Sequence, residues 1–402
     1  MLDKQTIEIV KATVPVLESH GTAITTRFYQ LLFQRHPELL NIFNHANQKQ
    51  GRQQTALANT VYAAAVHIDR LEAILPAVMQ IAHKHRSLGI QPEHYPIVGE
   101  NLLQAIQDVL GEAATAEIIN AWGKAYEYIA AAFIQTEQRL YQAAGWVDFK
   151  NFIVKRKVKE SEDVCSFYLE PEDGQPVAPF APGQYISIKC TGIPGETHEH
   201  IRQYSLSDEP GKPFYRISVK RIDALQDKPE GKVSNYLHQH INEGELLAVS
   251  APAGDFTVDL ESDEPVVLIA GGIGQTPLLS MLKTLRRQQP NRPVTFLHGL
   301  QNSRFHALAD EVKALRSASG PFPYFVAYSN PLAEDRLGEH FDKAGFVDLE
   351  WLQAVVPDKN ADYYICGPQP MMQAVYRALR TWGVAPERIH YEFFGPKGMI
   401  ES

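Results

Sequence analysis

The stretch Arg202-Gln203-Tyr204-Ser205-Leu206-Ser207, near the middle of the 402 residues, decides how the chain divides. An arginine followed at i+2 and i+3 by a tyrosine and a serine, in a β-rich region, places a forked guanidinium, a flat ring and a small hydroxyl within four residues. That set suits a flavin nucleotide. Arg202 can fork onto the pyrophosphate, Tyr204 can cover the ring system, and Ser205 can hydrogen-bond a flavin nitrogen, with Gln203 between them. An ordinary amphipathic strand could carry the same residues, so the surroundings decide. Pro182-Gly183-Gln184-Tyr185 lies upstream; Gly231-Lys232-Val233-Ser234-Asn235, Gly271-Gly272-Ile273-Gly274-Gln275-Thr276-Pro277 and Cys366-Gly367-Pro368 follow.

Downstream of Gly145-Trp146 the pattern is β-rich. Phe149 to Val158, Val164 to Leu169 and Tyr185 to Lys189 are short runs broken by Pro and Gly, and Tyr215 to Lys220 alternates apolar and polar. Strands at this spacing predict a small antiparallel barrel. Its one helix starts near Gly231, with Ser234 expected as N-cap and the free amides as a pyrophosphate site. From Pro265 the pattern becomes strand, helix, strand, helix, with buried runs at 266–270, 294–298, 324–327 and 363–366, which predicts a parallel sheet. GGxGxTP is not the GxGxxG fingerprint, but small residues there serve the same end, letting backbone approach a pyrophosphate at a helix N-terminus. In order, these segments resemble the ferredoxin-reductase-like family of flavin and nicotinamide modules. The resemblance places Cys366, Gly367 and Pro368 near the nicotinamide, and Glu392, Phe393, Phe394, Gly395 and Pro396 where the terminal aromatics cover the flavin.

Residues 1 to about 142 are helical in pattern, with apolar stripes such as Ile7, Val10, Val14, Leu17 and Leu102, Leu103, Ile106, Val109, Leu110. His36-Pro37 and Gly89 to Pro92 punctuate the helices. Two histidines, His83 and His85, share one helix, and at i, i+2 they point about 200° apart. His85 continues the stripe of Ile74, Val78, Ile81 and Leu88, so it is the inward one. On these residues alone it is either a hydrogen-bonded core histidine or a ligand. Tyr29, Phe43, Gln53 and Leu57, in this order with His85, resemble the distal side of a bacterial globin.

The resemblance then covers essentially the whole chain, and it is to the bacterial flavohaemoglobins. It implies three domains: an all-α globin domain (1–142), an antiparallel β-barrel FAD domain (146–260) and an α/β parallel-sheet NAD(P) domain (263–402). The implied cofactors are haem b, FAD and NAD(P)H, with His85 on iron. Tyr29, Gln53 and Leu57 would line the gas pocket, Phe43 would wedge against the porphyrin, and Tyr95 and Glu137 would make the histidine more basic. Lys84 would reach the haem rim and pair with Glu392. The implied activity is nitric oxide dioxygenation, in which hydride passes to FAD, single electrons pass to haem, and NO and O2 become nitrate. A flavin reductase serving another acceptor, or a haem-based O2 or NO sensor or lipid-binding protein, are the alternatives. Arg86 and the bulky Phe393 depart from what relatives often carry.

Composition is compatible with this. Apolar residues are 44% and charged residues 21%, and no window approaches the roughly 18 uninterrupted apolar residues of a membrane span. The opening MLDKQTIEIVK lacks the pattern of a signal peptide, so a cytoplasmic protein is expected. Three scattered cysteines offer no disulfide framework or CxxC metal site, and a net charge of -9 argues against nucleic acid. A monomer is expected, with room for a lipid in the haem pocket; the choice between NADH and NADPH stays open.

Overall fold

The computed structural model describes residues 2–43, 48, 51–225, 229–318, 320–394 and 400. They form two compact units, Met1–Phe149 with Lys189–Arg202, and Lys150–Ile188 with Gln203–Ser402.

The first unit is helical. Its helices are α1 (Lys4–Ala12), α2 (Val14–Arg35), α3 (Arg52–Val66), α4 (Leu75–Ser87), α5 (His94–Leu110) and α6 (Ala116–Ala143). Asp3 and Thr115 cap α1 and α6 by accepting from the Thr6 and Ile118 amides. Pro37 ends α2 by opening a short 3-10 turn over Pro37–Asn41, as the sequence predicts. Val10, Leu17, Ile24, Phe28, Leu32 and Trp122 meet in the core. The segment 189–202, sequence-wise part of the β-rich region, groups with the helices; the Glu199 amide donates to the Asn41 side chain at 3.0 Å.

The second unit contains two sheets. The first comprises β1 (Phe149–Lys159), β2 (Val164–Pro171), β3 (Tyr185–Cys190), β4 (His200–Ser205), β5 (Tyr215–Lys220) and β6 (Leu246–Ser250), in the order β4-β3-β6-β1-β2-β5. An antiparallel bridge from Leu206, just past β4, to Ile217 of β5 links the two ends of that order, as a barrel requires. Helix α7 (Lys232–His240) is the barrel's helix.

The second sheet runs β10-β9-β8-β7-β11-β12 and is parallel throughout. Its strands are β7 (Val266–Gly271), β8 (Val294–Leu300), β9 (Tyr324–Tyr328), β10 (Lys343–Ala344), β11 (Asp362–Cys366) and β12 (Ile389–Glu392). Helices α8 (Gln275–Gln288), α9 (Ala309–Ala318), α10 (Leu349–Val355) and α11 (Gln369–Trp382) connect them. Every residue of β7 is buried, as a central parallel strand demands. The register sets His298, Ala270, Cys366 and Glu392 in one row across β8, β7, β11 and β12, near the carboxyl ends where such sheets bind ligands.

Candidate functional site

In the helical unit, three predicted residues from three helices converge. Glu137 of α6, only 2% exposed, accepts from the Tyr95 hydroxyl of α5 at 2.6 Å and lies 2.8 Å from His85 Nδ1 of α4. Tyr95 OH lies 3.3 Å from the same nitrogen. A carboxylate can only accept, so Nδ1 carries the proton and Nε2 keeps its lone pair. Burial first, and the Glu137 charge second, push the Tyr95 phenol far above its ordinary pKa, so it remains a donor. Tyr95 is itself placed by Tyr126, whose hydroxyl donates to the Tyr95 carbonyl at 2.6 Å. Tyr126 fits there because residue 99 is glycine; a Cβ would stand 2.5 Å from its ring. His83 has no part in this triad.

Of the predicted distal residues, Tyr29, Phe43 and Leu57 share one core cluster. Tyr29 is 6% exposed on α2 and meets Phe43 edge to face at 5.7 Å and stacks with Phe33 at 5.7 Å, the two phenylalanines themselves meeting edge to face at 5.3 Å. Burial raises the Tyr29 phenol well above its usual value, with the neighbouring Gln48 side chain opposing. Leu57 of α3 packs against the same core. Gln53, four residues earlier on α3, has a buried Oε1 with no partner among the described residues. Lys84 is half-buried, and burial lowers its ammonium pKa. Arg86 is buried.

In the second unit, Gln203 donates to Ser187 Oγ at 3.1 Å, and Ser205 is 6% exposed. Strand alternation puts Arg202 and Tyr204 on one face of β4, with Gln203 and Ser205 on the other; the Arg202 guanidinium donates to the Ile201 carbonyl at 2.8 Å. Tyr185 lies against Gly254, where a Cβ would come within 3.0 Å of the ring. Ser234 does not cap α7. Gly231 holds the N-cap position, and the Ser234 hydroxyl folds back to donate to the Gly231 carbonyl at 3.0 Å while accepting from the Ile222 amide at 3.2 Å. The expected cap fails because Ser234 lies inside the first turn, beside the buried Val233. Gly231 leaves that turn room, since a Cβ there would sit 2.6 Å from the Ser234 hydroxyl.

The loop between β7 and α8 packs backbone against backbone. A Cβ on Gly274 would stand 2.1 Å from the Cys366 carbonyl oxygen, and one on Gly367 would stand 2.9 Å from Gly271 Cα. Gly272 has φ of +51° with nothing within 4 Å of a built Cβ, so this loop faces open space. An open cleft of about 360 Å³ adjoins it, lined by Gly272, Ile273 and Gln275 together with Lys220, Gln301 and Phe305. Thr276 donates to the Ile273 carbonyl at 3.0 Å, and Pro277 is buried in the first turn of α8. Gln275 Nε2 donates to the Ala307 carbonyl at 2.9 Å, whereas its buried Oε1 has no partner among the described residues. The Cys366 carbonyl and the Pro368 ring flank the loop, and burial followed by the Glu392 charge pushes the Cys366 thiol pKa well up. Burial, with Asp255, raises Glu392 to about 8. Phe393 packs on the Tyr391 ring at 5.6 Å and Phe394 is exposed, while Gly395 and Pro396 lie outside the described residues.

Comparison with known proteins matches this order of modules. The Globin family model matches residues 26–133, the oxidoreductase FAD-binding domain 151–258 and the oxidoreductase NAD-binding domain 268–377. The flavohemoprotein of Bacillus thuringiensis subsp. konkukian is 55% identical over 406 residues, covering all of both chains. The chain belongs to the flavohemoprotein family. A flavohemoglobin crystal structure from Malassezia yamatoensis, with bound FAD and haem, superposes with a TM-score of 0.84 at 29% identity, covering 98% of this chain and all of that one. The FAD/NAD-binding domain of a nitric oxide dioxygenase from Vibrio cholerae is 38% identical with a TM-score of 0.56, covering 62% of this chain and all of that one.

This flavohemoprotein is thus an oxidoreductase with haem, FAD and a nicotinamide dinucleotide as cofactors, and its residues fit them. His85 offers an imidazole with its far nitrogen already bound, Gln53 and Gln275 hold buried acceptors in reserve, and the glycines at 272 and 274 bare the backbone. Sequence reading missed two parts. Gln48 beside Tyr29 has no periodic signal, and His298, next to the Gly272 loop, reads as one more residue of a buried strand.

Proposed function

We propose that this chain is a nitric oxide dioxygenase that converts NO and O2 to nitrate, organised as modules 1–142, 146–260 and 263–402. NAD(P)H, FAD and haem, when bound, supply in that order the reducing equivalents and the iron at which the reaction occurs. The observation that carries the reading is the His85–Glu137–Tyr95 triad. A buried carboxylate on Nδ1 gives the imidazole anionic character, so Nε2 is a stronger electron donor than an ordinary histidine. An oxygen store would gain nothing from that push.

The distal residues complete the assignment. Tyr29 keeps its proton and can donate to a gas ligand, Gln53 offers a second polar group, and Phe43 and Leu57 exclude water. On the reductase side, Tyr185, Arg202, Gln203, Tyr204 and Ser205 hold the flavin, with the first-turn amides of α7 (Val233, Ser234) on its pyrophosphate. Residues 272–277 and 366–368 seat the nicotinamide dinucleotide. Phe393 and Phe394 cover the flavin.

Purified protein supplied with NADH, oxygen and NO should yield nitrate in step with NADH consumed; NO loss without nitrate would reject the dioxygenase reading. Tyr29→Phe should speed oxygen dissociation by about tenfold or more, because a hydrogen bond to a charged species is worth roughly 1.5–3 kcal/mol. An unchanged off-rate would remove Tyr29 from this role.

A further inference from the structure

His298 lies in β8, one strand from the Gly272 loop, and is fully buried. Its Nε2 lies 3.0 Å from the Gly272 carbonyl oxygen. A carbonyl only accepts, so Nε2 carries the proton, and the buried Nδ1, with no partner among the described residues, is bare. Burial lowers the ring's pKa to about 4, so this tautomer persists at neutral pH. The ring is fixed on two sides, stacked on Phe296 at 5.9 Å and met edge-on by His306 at 5.3 Å. His306 is itself clamped, Nδ1 to the Tyr328 hydroxyl at 2.9 Å and Nε2 to that of Tyr324 at 2.8 Å.

The consequence lies in the peptide that follows. A trans peptide points its C=O and N–H in opposite senses, so anchoring the Gly272 carbonyl on His298 aims the Ile273 N–H away from the core. Gly272 and Ile273 both line the cleft. At φ of +51° a glycine peptide turns over at little cost; His298 and the Gln275 backbone amide both hold the Gly272 carbonyl, and with the His298 hold lost it is freer to turn towards the cleft and repel an anion. We propose that His298 is a positioning residue for the dinucleotide, holding the Gly272–Ile273 peptide so that the Ile273 N–H meets the cofactor's pyrophosphate. This rests on reading residues 272–277 as the dinucleotide loop.

The test uses the full chain loaded with haem and FAD, with ADP-ribose as probe in calorimetry and NADH in anaerobic rapid mixing. Glutamine can place its amide N–H where Nε2–H stands; leucine cannot donate, and asparagine falls short. His298→Leu should weaken ADP-ribose binding about five- to tenfold, the worth of one lost hydrogen bond. Its flavin reduction rate at saturating NADH should stay within about twofold of the native rate, and His298→Gln should recover most of the affinity. If His298→Leu does not accumulate, the Gln and Asn variants decide, with Gln near native and Asn weakened. Equal affinities for native and Leu, or for Gln and Asn, would overturn the proposal. Failure of the native chain to bind ADP-ribose would overturn the reading of the loop with it.

Discussion

At the scale of single residues, the choice between two histidines two positions apart shows how far helix geometry reaches. His85 continues an apolar stripe and His83 does not, and the structure puts only His85 on Glu137 and Tyr95. Replacing His85 by alanine should abolish the normal haem spectrum, while His83→Ala should keep it. Absorption spectra of the two purified variants, with FAD content as a folding control, check this; normal haem in His85→Ala would remove it as the iron ligand. A helical period of 3.6 separates i from i+2 and so parts the two histidines, but the buried positions of α4 are Val78, Ala82, Arg86 and Ser87, and the His85 side chain is 33% exposed. The role of Glu137 was not legible, since a glutamate near Arg139 reads as a surface carboxylate until the chain folds, and the resemblance alone singled it out. Gln53 and Gln54 look alike in sequence, and folding buries the side-chain oxygen of each without a partner among the described residues, while Gln54 Nε2 donates to Gln48.

Between elements, the second unit carries a charge cluster that no local pattern announces. Arg216 of β5, 3% exposed, pairs with Glu311 of α9 at 2.7 Å, and Lys283 of α8 bonds both Glu311 and Asp208. The four residues span 103 positions, so strand alternation and helical stripes could not connect them. Such a cluster joins barrel to parallel sheet, and removing one member leaves the others buried and less compensated. Although burial opposes it, Arg216 and Lys283 hold the Asp208 carboxyl below its ordinary value. A depressed folded pKa stabilises fully above the unfolded value of about 3.9 and is lost as pH falls through the folded one. Asp208→Asn should therefore cost about 3 kcal/mol at pH 7, seen as a lower urea midpoint for loss of FAD fluorescence change. The gap between native and variant should hold at pH 5 and narrow only as pH falls below about 4 and through the folded pKa; a gap that persists in strong acid would show that the cluster acts by packing. Strands such as β5 and β7 were legible within a residue or two, because β7 is apolar throughout and β5 alternates in sequence, whereas β6 and β10 were not read and β12 ends at Glu392, short of the terminal aromatics. The grouping of 189–202 with the helices was not legible, since it depends on contacts such as that of Glu199 with Asn41.

For the molecule as a whole, electrons must leave the flavin and arrive at the haem, and Glu392 is the residue to question. It stands in the register row of Cys366, with a buried Oε2 that has no hydrogen-bond partner among the described residues. Burial raises its pKa to about 8, so on its own it would be largely protonated at neutral pH. An uncompensated carboxyl in such a place is costly, and costly titratable groups gather at functional sites. Lys84 shows the mirror image, an ammonium whose pKa burial lowers. If Glu392 lies beside the flavin, as proposed, its carboxyl tunes the step that follows flavin reduction rather than the reduction itself. Glu392→Gln should then slow reduction of haem by flavin, while NADH reduction of the flavin and oxygen binding stay near native. Anaerobic rapid-mixing spectra resolve the two steps by their separate absorbance bands. If the flavin-to-haem step keeps its rate in that variant, Glu392 has no part in coupling the cofactors and its burial needs another cause.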